Sequence, residues 1–343
     1  MQAPLGGSAE RNETQLWGAG AHRRTIRRLC AAALITGLAA LAPISASTAL
    51  SQGPMAATPG PGYLTIQFGR SIWTVAYQCK QVAGALTLVD VANDLKAHAM
   101  SATGTVVVDR TNRTGRLCEG GNLYSNWSDL ARLRDTYGWQ FVSNGLTHDD
   151  ITGMSPEEQA EETCDTLDTF TAHGFNSAWG LYAYGDNHFT TAIQKNLVSS
   201  CFGFGRTYRG GVNMRATTIA PWFQKTNSIL GGDCNIVGQP CYILKSTGGQ
   251  HYQSPLTFAN LVAGEGKDQW IDLQFYRLVT GSSHLTPAYS WDCTNSNWKL
   301  HWTSSIEMYC QNDFDSILSH VVPGVIVADP ATVAMAWGHH PDN

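Results

Sequence analysis

The segment "SNGLTHDDITGMSPEEQAEE", residues 143–162, places one histidine before two adjacent aspartates and a helix start. His148 and Asp149 are residue types that bind divalent metals or transfer protons in hydrolases. The same residues also brace loops, since Asp149 and Asp150 suit turns and helix caps. Both interpretations are open on the residues alone, and the partners that the fold brings to His148 decide between them.

Two further carboxylates extend this set. Asp109 follows "GTVVV" and Asp186 follows "GLYAYG", each at the end of a predicted strand. Carboxylates beside an imidazole serve as metal ligands or as its acid–base partners. We therefore predict His148, Asp149, Asp109 and Asp186 as catalytic residues, and His148 as a metal ligand.

The elements that must position these residues alternate between strands and helices. The strand patterns are "YLTIQF", "GTVVVD", "WQFVS", "AWGLYAY", "CFGFGRTY", "WIDLQFYR" and "PGVIVAD". The clearest helix is "SPEEQAEETCDTLDTFTAHG", with Ser155 as N-cap, Pro156 at the first position and Glu158 completing a capping box. Regular β–α alternation predicts an α/β fold, a distorted (β/α) barrel whose site lies at the carboxyl ends of its strands.

The N-terminal segment has the pattern of an export signal. The basic stretch "RRTIRR" precedes the apolar run "LCAAALITGLAALAPISA", which ends in small residues. This predicts a secretory signal peptide over residues 1–49, with a short membrane anchor as the alternative. A flexible Pro/Gly-rich linker over 50–62 and a barrel domain over 63–343 follow. The protein is then secreted or associated with the cell wall.

Composition and charge narrow the classes of partner. Of the 343 residues, 43% are hydrophobic and only 14% are charged, which suits a folded secreted domain. Loss of residues 1–46 removes five arginines and two glutamates, so the net charge of −5 becomes −8. This acidity argues against nucleic acid or an anionic membrane as a partner, and we expect no stable membrane span after signal cleavage.

The cysteines agree with export. Eight remain once Cys30, inside the signal, is set aside. An even number in an exported chain predicts four disulfides, for which about 105 connectivities exist. The simplest hypothesis pairs neighbours along the chain, as 79–118, 164–201, 234–241 and 293–310.

The order of these segments resembles that of the polysaccharide deacetylases with a NodB-homology domain, carbohydrate esterases that remove acetyl groups from glycans. "YGWQFVSNGLTHDDITGMSPEEQAEE" is similar to the family's metal motif, His-(Ser/Thr)-x-x-His-Pro-Asp-Leu, with His148 on the second histidine. "GLYAYGDN" is similar to its Arg-x-Pro-Tyr-Gly turn, and "WIDLQFYRLVTG" to its late strand. The resemblance covers about Tyr63 to Trp337. It implies a barrel of the glycoside hydrolase and deacetylase type, a glycan substrate and hydrolysis of acetyl groups.

The family's metal-binding residues match poorly. The resemblance places Gln67 on the general base and Phe68 on the metal-binding aspartate of the family's Thr-Phe-Asp-Asp-Gly strand end. Asn144 stands on the first metal histidine, so only His148 remains of the metal set. One imidazole with an amide oxygen is a poor divalent site. The sequence thus indicates no certain cofactor, and zinc held by shifted ligands around His148 stays an alternative.

The rest of the family's site changes as well. Tyr276 replaces the late histidine that acts as general acid, and the turn's arginine falls on Leu181 or Tyr182, with no cation near. Indoles stack on the apolar faces of sugar rings, so tryptophans in turn-rich segments are candidates for a glycan groove, with packing as the alternative. These tryptophans are Trp222, Trp291, Trp298 and Trp302. The predicted substrate-binding residues are Asn144, Tyr184, Tyr276, Gln67 and Trp222.

Three functions are open at this point. The first is an exported deacetylase-type hydrolase that acts on an extracellular or cell-wall glycan through an altered site. The second is a catalytically inactive relative that binds carbohydrate or a protein partner. The third is a metal-free glycan hydrolase with paired carboxylates, which requires Asp109 and Asp149 or Asp186 to lie about 5–10 Å apart across the cleft.

Overall fold

Strand β1, Gly62–Phe68, is buried along its whole length and divides its side chains between two faces. Leu64 and Phe68 pack with the helices outside the sheet, while Tyr63 packs in an inner cluster. This alternation is the period of two expected of a strand. It leaves Gln67 on the inner face, as the position of a site residue requires.

The computed structural model describes a defined part of the chain: residues 61–69, 84, 86–111, 124–185, 188–207, 213–214, 224–225, 227–228, 235–236, 239–240, 269–275, 277–286, 289–295 and 308–338. The predicted signal peptide and nearly all of the predicted linker lie outside these residues. So do three predicted site residues, Asp186, Tyr276 and Trp222.

The elements follow the predicted alternation. The strands are β1 Gly62–Phe68, β2 Thr103–Val106, β3 Gln140–Ser143, β4 Tyr182–Ala183, β5 Gly205–Thr207, β6 Asn213–Met214, β7 Gln224–Lys225, β8 Asn227–Ser228, β9 Asn235–Ile236, β10 Gln239–Pro240, β11 Gln269–Phe275, β12 Arg277–Val279, β13 Ser282–Thr286, β14 Tyr289–Asp292, β15 Met308–Cys310 and β16 Val325–Val327. The helices are α1 Leu88–Ala97, α2 Val108–Thr111, α3 Trp127–Tyr137, α4 Pro156–Glu162, α5 Thr166–Ala172, α6 Thr191–Ile193, α7 Ser199–Cys201, α8 Gln311–Leu318 and α9 Pro330–Trp337. The 3-10 turns Ile151–Gly153 and Ala178–Gly180 and the π-helical segment Gln194–Val198 complete them.

The main sheet is parallel and strongly curled. Its strand order is β6-β11-β1-β2-β3-β4-β5-β7, with β16 beside β1 and β8 beside β11, and β6 is the antiparallel member. Gln67 on β1 contacts Arg206 on β5. In a flat sheet the four strand spacings between them, each about 4.8 Å, would keep them apart. The prediction of a distorted (β/α) barrel is therefore confirmed; in the described part, the curl ends at β6 and β7.

Helix α9 closes the amino end of the barrel. Val333 of this helix packs in the inner cluster with Trp270, and Asp329 caps it by accepting a hydrogen bond from the Ala331 N–H at 2.9 Å. Gly180 lets the 3-10 turn approach this helix, because a Cβ there would overlap the Ala331 backbone. Helix α9 thus packs over the amino end of the barrel. Among the described residues, no helix is long and apolar enough to cross a membrane.

The predicted single helix over residues 155–174 is wrong, because the structure divides it into α4 and α5. Thr163 leaves helical geometry at φ −116° and ψ −89°, and Cys164 beside it forms a disulfide with Cys201. The capping box that Ser155 makes with Glu158 at the start of α4 is confirmed. Local signals therefore predicted the helix start, while a long-range bond accompanies the break.

Two of the neighbour disulfides are confirmed, Cys164–Cys201 and Cys293–Cys310. The other two pairs fall outside the described residues. The prediction that Trp291 lines a glycan groove is wrong, because its ring is fully buried and its indole N–H donates to the Thr280 carbonyl at 3.1 Å. Packing is therefore the role of this tryptophan.

Candidate functional site

Residues 144–150 form the rim loop, which leaves the carboxyl end of β3 and carries His148. One side of it rests on the helical turn α2, where the Asp109 N–H donates to the Leu146 carbonyl at 2.9 Å. Strand β2 already ends at Val106, and Asp109 lies in α2. Its side chain is exposed. The prediction that Asp109 ends a strand is therefore wrong, but the turn still places it beside the rim loop.

A buried carboxylate holds the other side of the rim loop. Glu162, the last residue of α4, accepts hydrogen bonds from the Thr147 N–H at 2.9 Å, the Thr147 hydroxyl at 2.9 Å and the His148 N–H at 2.8 Å. Gly145 permits this approach, because a Cβ there would overlap Glu162 Oε1. Burial raises the pKa of the Glu162 carboxyl above its usual value, and this outweighs the opposing effect of the hydrogen bonds. Sequence reasoning missed Glu162 because it stands among the exposed glutamates of "PEEQAEE".

His148 adopts a backbone conformation that is rare outside glycine. Its φ is +75°, in the left-handed region, which costs on the order of 1 kcal/mol for such a residue. Its carbonyl and ring pack against Gly185, where a Cβ would lie 2.9 Å from the His148 oxygen and 3.4 Å from its Cγ. The structure therefore gathers His148, Asp149 and Asp109 on one rim.

The two adjacent aspartates of the rim loop differ in environment. Asp150 caps the following 3-10 turn, since its Oδ1 accepts from the Thr152 N–H at 2.9 Å and from the Thr152 hydroxyl at 2.6 Å. These bonds lower the pKa of Asp150, and its Oδ2 lies 3.5 Å from His188 Nδ1. The capping role considered for Asp150 is confirmed. Asp149 is exposed to solvent beside it.

Inside the barrel, a buried arginine contacts Gln67. Arg206 Nη1 donates to Gln67 Oε1, and both side chains are at most 1% exposed. Arg206 shares the inner face with Ala183, its register partner on β4. The sequence offered no cation near Leu181 or Tyr182, the positions of the family's turn arginine, whereas the structure places Arg206 on the neighbouring strand opposite Ala183. The available signal was an arginine two residues after Phe204 in a short strand pattern, a spacing that puts both on the same face.

We call the inner face of the barrel around Gln67, Arg206 and Gln274 the mouth, and several hydrogen-bonding groups there have no partner among the described residues. Gln67 and Gln274 are register partners on β1 and β11, so their side chains share the inner face. Both are fully buried, and within the described residues Gln67 Nε2 and both amide atoms of Gln274 have no hydrogen-bond partner. Buried polar atoms are nearly always paired with protein, water or ligand. The inner face is thus suited to hold polar groups of a ligand or ordered water.

Two predicted substrate-binding residues, Asn144 and Tyr184, are buried. Asn144 Nδ2 donates to the Ala183 carbonyl at 2.8 Å and so braces the rim loop against β4. The Tyr184 ring lies 5.2 Å from that of Tyr182 and 5.1 Å from that of Phe189, and burial raises the pKa of its phenol well above the usual value. Substrate binding by Asn144, Tyr184 and Gln67 stays a prediction.

A groove of about 380 Å³ begins next to the rim loop. Its first residue, Thr152, is the residue that Asp150 caps. The lining comes from two segments and consists of Thr152, Pro156, Gln159, Thr190, Ala192, Ile193, Asn196 and Leu197. The disulfide Cys164–Cys201 links the chain just after each of these two segments. The volume lies within the range of small-molecule sites, about 300–1,000 Å³.

The residues at the mouth do not fit the deacetylase metal. Phe68 stands where the family has a metal-binding aspartate, but it faces the core, with its ring 5.5 Å from that of Trp139 and 5.7 Å from that of Phe275. Asn144, in the place of the family's first metal histidine, uses its amide on the Ala183 carbonyl, so these two positions supply an aromatic ring and an amide. Such a donor set suits zinc poorly. Within the described residues, no group of three or more His, Cys, Asp or Glu side chains is placed to hold a metal ion.

No family model and no curated protein matches the sequence. The chain is similar in structure to the Xyl-CE4 domain of a multidomain xylanase from the hindgut metagenome of Trinervitermes trinervoides, with a TM-score of 0.41, 12% identity, and 83% of this chain and 95% of that one covered. It is also similar to a family 4 carbohydrate esterase from Streptomyces lividans, with a TM-score of 0.40, 12% identity, and coverage of 79% and 95%. For the chitin deacetylase of the fungal pathogen Colletotrichum lindemuthianum, the TM-score is 0.38, identity 12%, and coverage 83% and 91%.

These structures are of the class that the motif order resembles. At this level of similarity, the activities in their names belong to those proteins and do not pass to this chain.

Proposed function

We propose that this protein is an exported relative of the polysaccharide deacetylases that binds an extracellular or cell-wall glycan without the family's metal-dependent hydrolysis. The buried Gln67–Arg206 pair carries the proposal. Its amide stands where the resemblance puts the general base, and an amide does not take a proton from water at neutral pH. With Phe68 in the core, β1 supplies neither the base nor the metal ligand.

The groove and the rim support a glycan as the ligand. Thr152, Thr190 and Asn196 offer hydroxyl and amide groups for sugar hydroxyls, and Ile193 supplies an apolar wall for sugar C–H groups. His148 lies half-buried at the adjoining rim, where an imidazole can both donate and accept hydrogen bonds. The two disulfides suit an oxidising extracellular compartment.

Retention on insoluble glycans tests the proposal. The protein without its predicted signal peptide is passed over peptidoglycan, chitin and acetylated xylan, and we expect retention on one of them that survives a metal chelator. Asn196→Trp fills the groove, so retention should fall about tenfold or more, as expected when a central contact is lost. Asn176→Trp, an equally exposed asparagine outside the groove, should leave retention unchanged.

Acetate release and metal content are measured on the same samples. Zinc at one equivalent per chain, together with acetate release that a chelator abolishes, would overturn the proposal. Retention on none of the three glycans, or equal losses in the Asn196 and Asn176 variants, would also count against it.

A second candidate function is metal-free hydrolysis at the rim. It is favoured by the left-handed backbone of His148, because backbone strain of this kind is concentrated at functional sites. Here His148 would act as general base with Asp149 or Asp109 as its partner. Product release that resists chelators but is lost in both His148→Ala and Asp149→Asn would favour this candidate over binding alone.

A further inference from the structure

We infer that Glu162 is the residue that positions His148 for its role at the rim, an inference that rests on the proposed function. The rim loop would relax if His148 could return to an ordinary backbone conformation. Its φ of +75° persists only if the surroundings impose it. Glu162 is the buried side chain that bonds to this stretch of backbone.

The chemistry of the contact requires a carboxylate. Three donors converge on the two oxygens of Glu162: two backbone N–H groups, from Thr147 and His148, and the Thr147 hydroxyl. An ionised carboxylate accepts at both oxygens, and such charge-assisted bonds are stronger than neutral ones. An amide of the same shape would turn an NH2 group toward one of these donors. Leu146 adds a backbone bond, since its N–H donates to the Glu162 carbonyl at 3.1 Å.

The position of Glu162 links this contact to the groove. It ends α4, the helix whose first turn contributes Pro156 and Gln159 to the groove lining. One end of α4 thus shapes the groove while the other end holds the His148 backbone. His148 in turn packs on Gly185, so its backbone is held between Glu162 of α4 and the residues that follow β4. Glu162 does not line the groove and is a positioning residue.

A double-mutant cycle on stability tests the inference without any glycan. Glycine adopts positive φ without strain. In His148→Gly the loop can therefore keep this conformation without Glu162 to impose it. We expect the loss of Tm caused by Glu162→Gln to be about twofold smaller in the His148→Gly background than in the wild type. Ala99→Gly is the matched control, because Ala99 also has a positive φ, of 56°, at the far end of α1. With Ala99→Gly the losses should simply add, and equal losses in both backgrounds would overturn the inference.

A second cycle measures glycan retention. Glu162→Gln should weaken retention about as much as His148→Ala, and the double variant should be no weaker than either one, because both act through one group. Glu161→Gln, which changes an exposed glutamate on the same helix that does not line the groove, should leave retention unchanged. Independent, additive losses would show that Glu162 acts through general stability. If the wild type binds no glycan, the proposed function fails, whereas the stability cycle still decides the role of Glu162.

Discussion

At the scale of single residues, amides and one guanidinium organise the mouth of this barrel. The resemblance of the sequence to the deacetylases identified Gln67 and Asn144 as departures from a metal site. It could not identify their partners, because Arg206 is 139 positions from Gln67 and only the curl of the sheet brings them together. Glu162 was hidden for a similar reason, since its burial depends on the rim loop folding over it.

Gln67→Leu tests the importance of the buried pair. The variant removes the acceptor of a buried arginine N–H, and a buried hydrogen bond to a charged group contributes about 1.5–3 kcal/mol. We expect the free energy of unfolding, measured in urea, to fall by about 2 kcal/mol. The matched control is Gln274→Leu, at the register-partner position with equal burial. Because the amide of Gln274 has no bond to another described residue, this control should be neutral or stabilising, and equal losses would contradict the assignment.

At the scale of elements, local signals explain where helices begin and where α3 ends, whereas a distant contact accompanies the end of α4. The capping box of α4 and the left-handed Gly138 that ends α3 are readable from neighbouring residues. The break after α4 is not, because Cys164 is held by a cysteine 37 residues away. The short turn α2 was also missed, since "GTVVVD" reads as a strand until Val108 bonds to the rim loop.

The disulfide Cys164–Cys201 should matter for both stability and the groove. Replacing both cysteines by alanine opens a loop of 37 residues, for which chain entropy predicts a loss of about 4 kcal/mol. The same change at Cys293–Cys310, which spans 17 residues, should cost about 3 kcal/mol. Urea unfolding measures both losses. Only the first variant should also lose glycan retention when assayed well below its Tm, since only that bond joins the two walls of the groove.

The contact between α1 and α8 should respond to pH. Burial raises the pKa of Asp94 and of Asp315, and the charge of Asp315 raises that of Asp94 further. A raised folded-state pKa gives stability that is present at low pH and lost as pH rises through that value. Asp315→Asn should therefore raise the free energy of unfolding at neutral pH by on the order of 0.5 kcal/mol. The gain should vanish at about pH 3, where both carboxyls are protonated.

Asp135→Asn is the control for this experiment. Its carboxyl accepts a hydrogen bond from Arg134 at 2.7 Å, which lowers its pKa, so the sign of its linkage is opposite. Removing it should bring no gain at neutral pH. A gain as large as that of Asp315→Asn would point to net charge as the cause.

At the scale of the whole molecule, the barrel follows from the alternation of strands and helices. Its two ends differ because α9 packs over the amino end. The predicted strands form a parallel sheet, as expected when long helical connections join successive strands. The degree of curl was not readable, because it depends on inner contacts such as that between Phe204 and Trp270, whose rings lie 4.9 Å apart. Helix α9 packs over one end of the barrel, and the rim loop lies at the other.

Gly180→Ala tests this closure. The added methyl group would overlap the backbone of Ala331 in α9, and overpacking of this kind costs about 1–3 kcal/mol. We expect a loss of about 2 kcal/mol in the free energy of unfolding. Gly153→Ala has open space around the new methyl group and should change little. A Gly180 variant as stable as the Gly153 variant would show that α9 is free to shift.

Phe68 has a consequence for anyone who wishes to engineer a zinc enzyme on this scaffold. Phe68→Asp would put a charge among the rings of Trp139, Phe275 and Phe314, and the chain would unfold before it gained a ligand. A designer would do better to recruit new donors on the solvent side, for example around His148. On this backbone, metal chemistry requires a new set of ligands, because aromatic rings fill the space around Phe68.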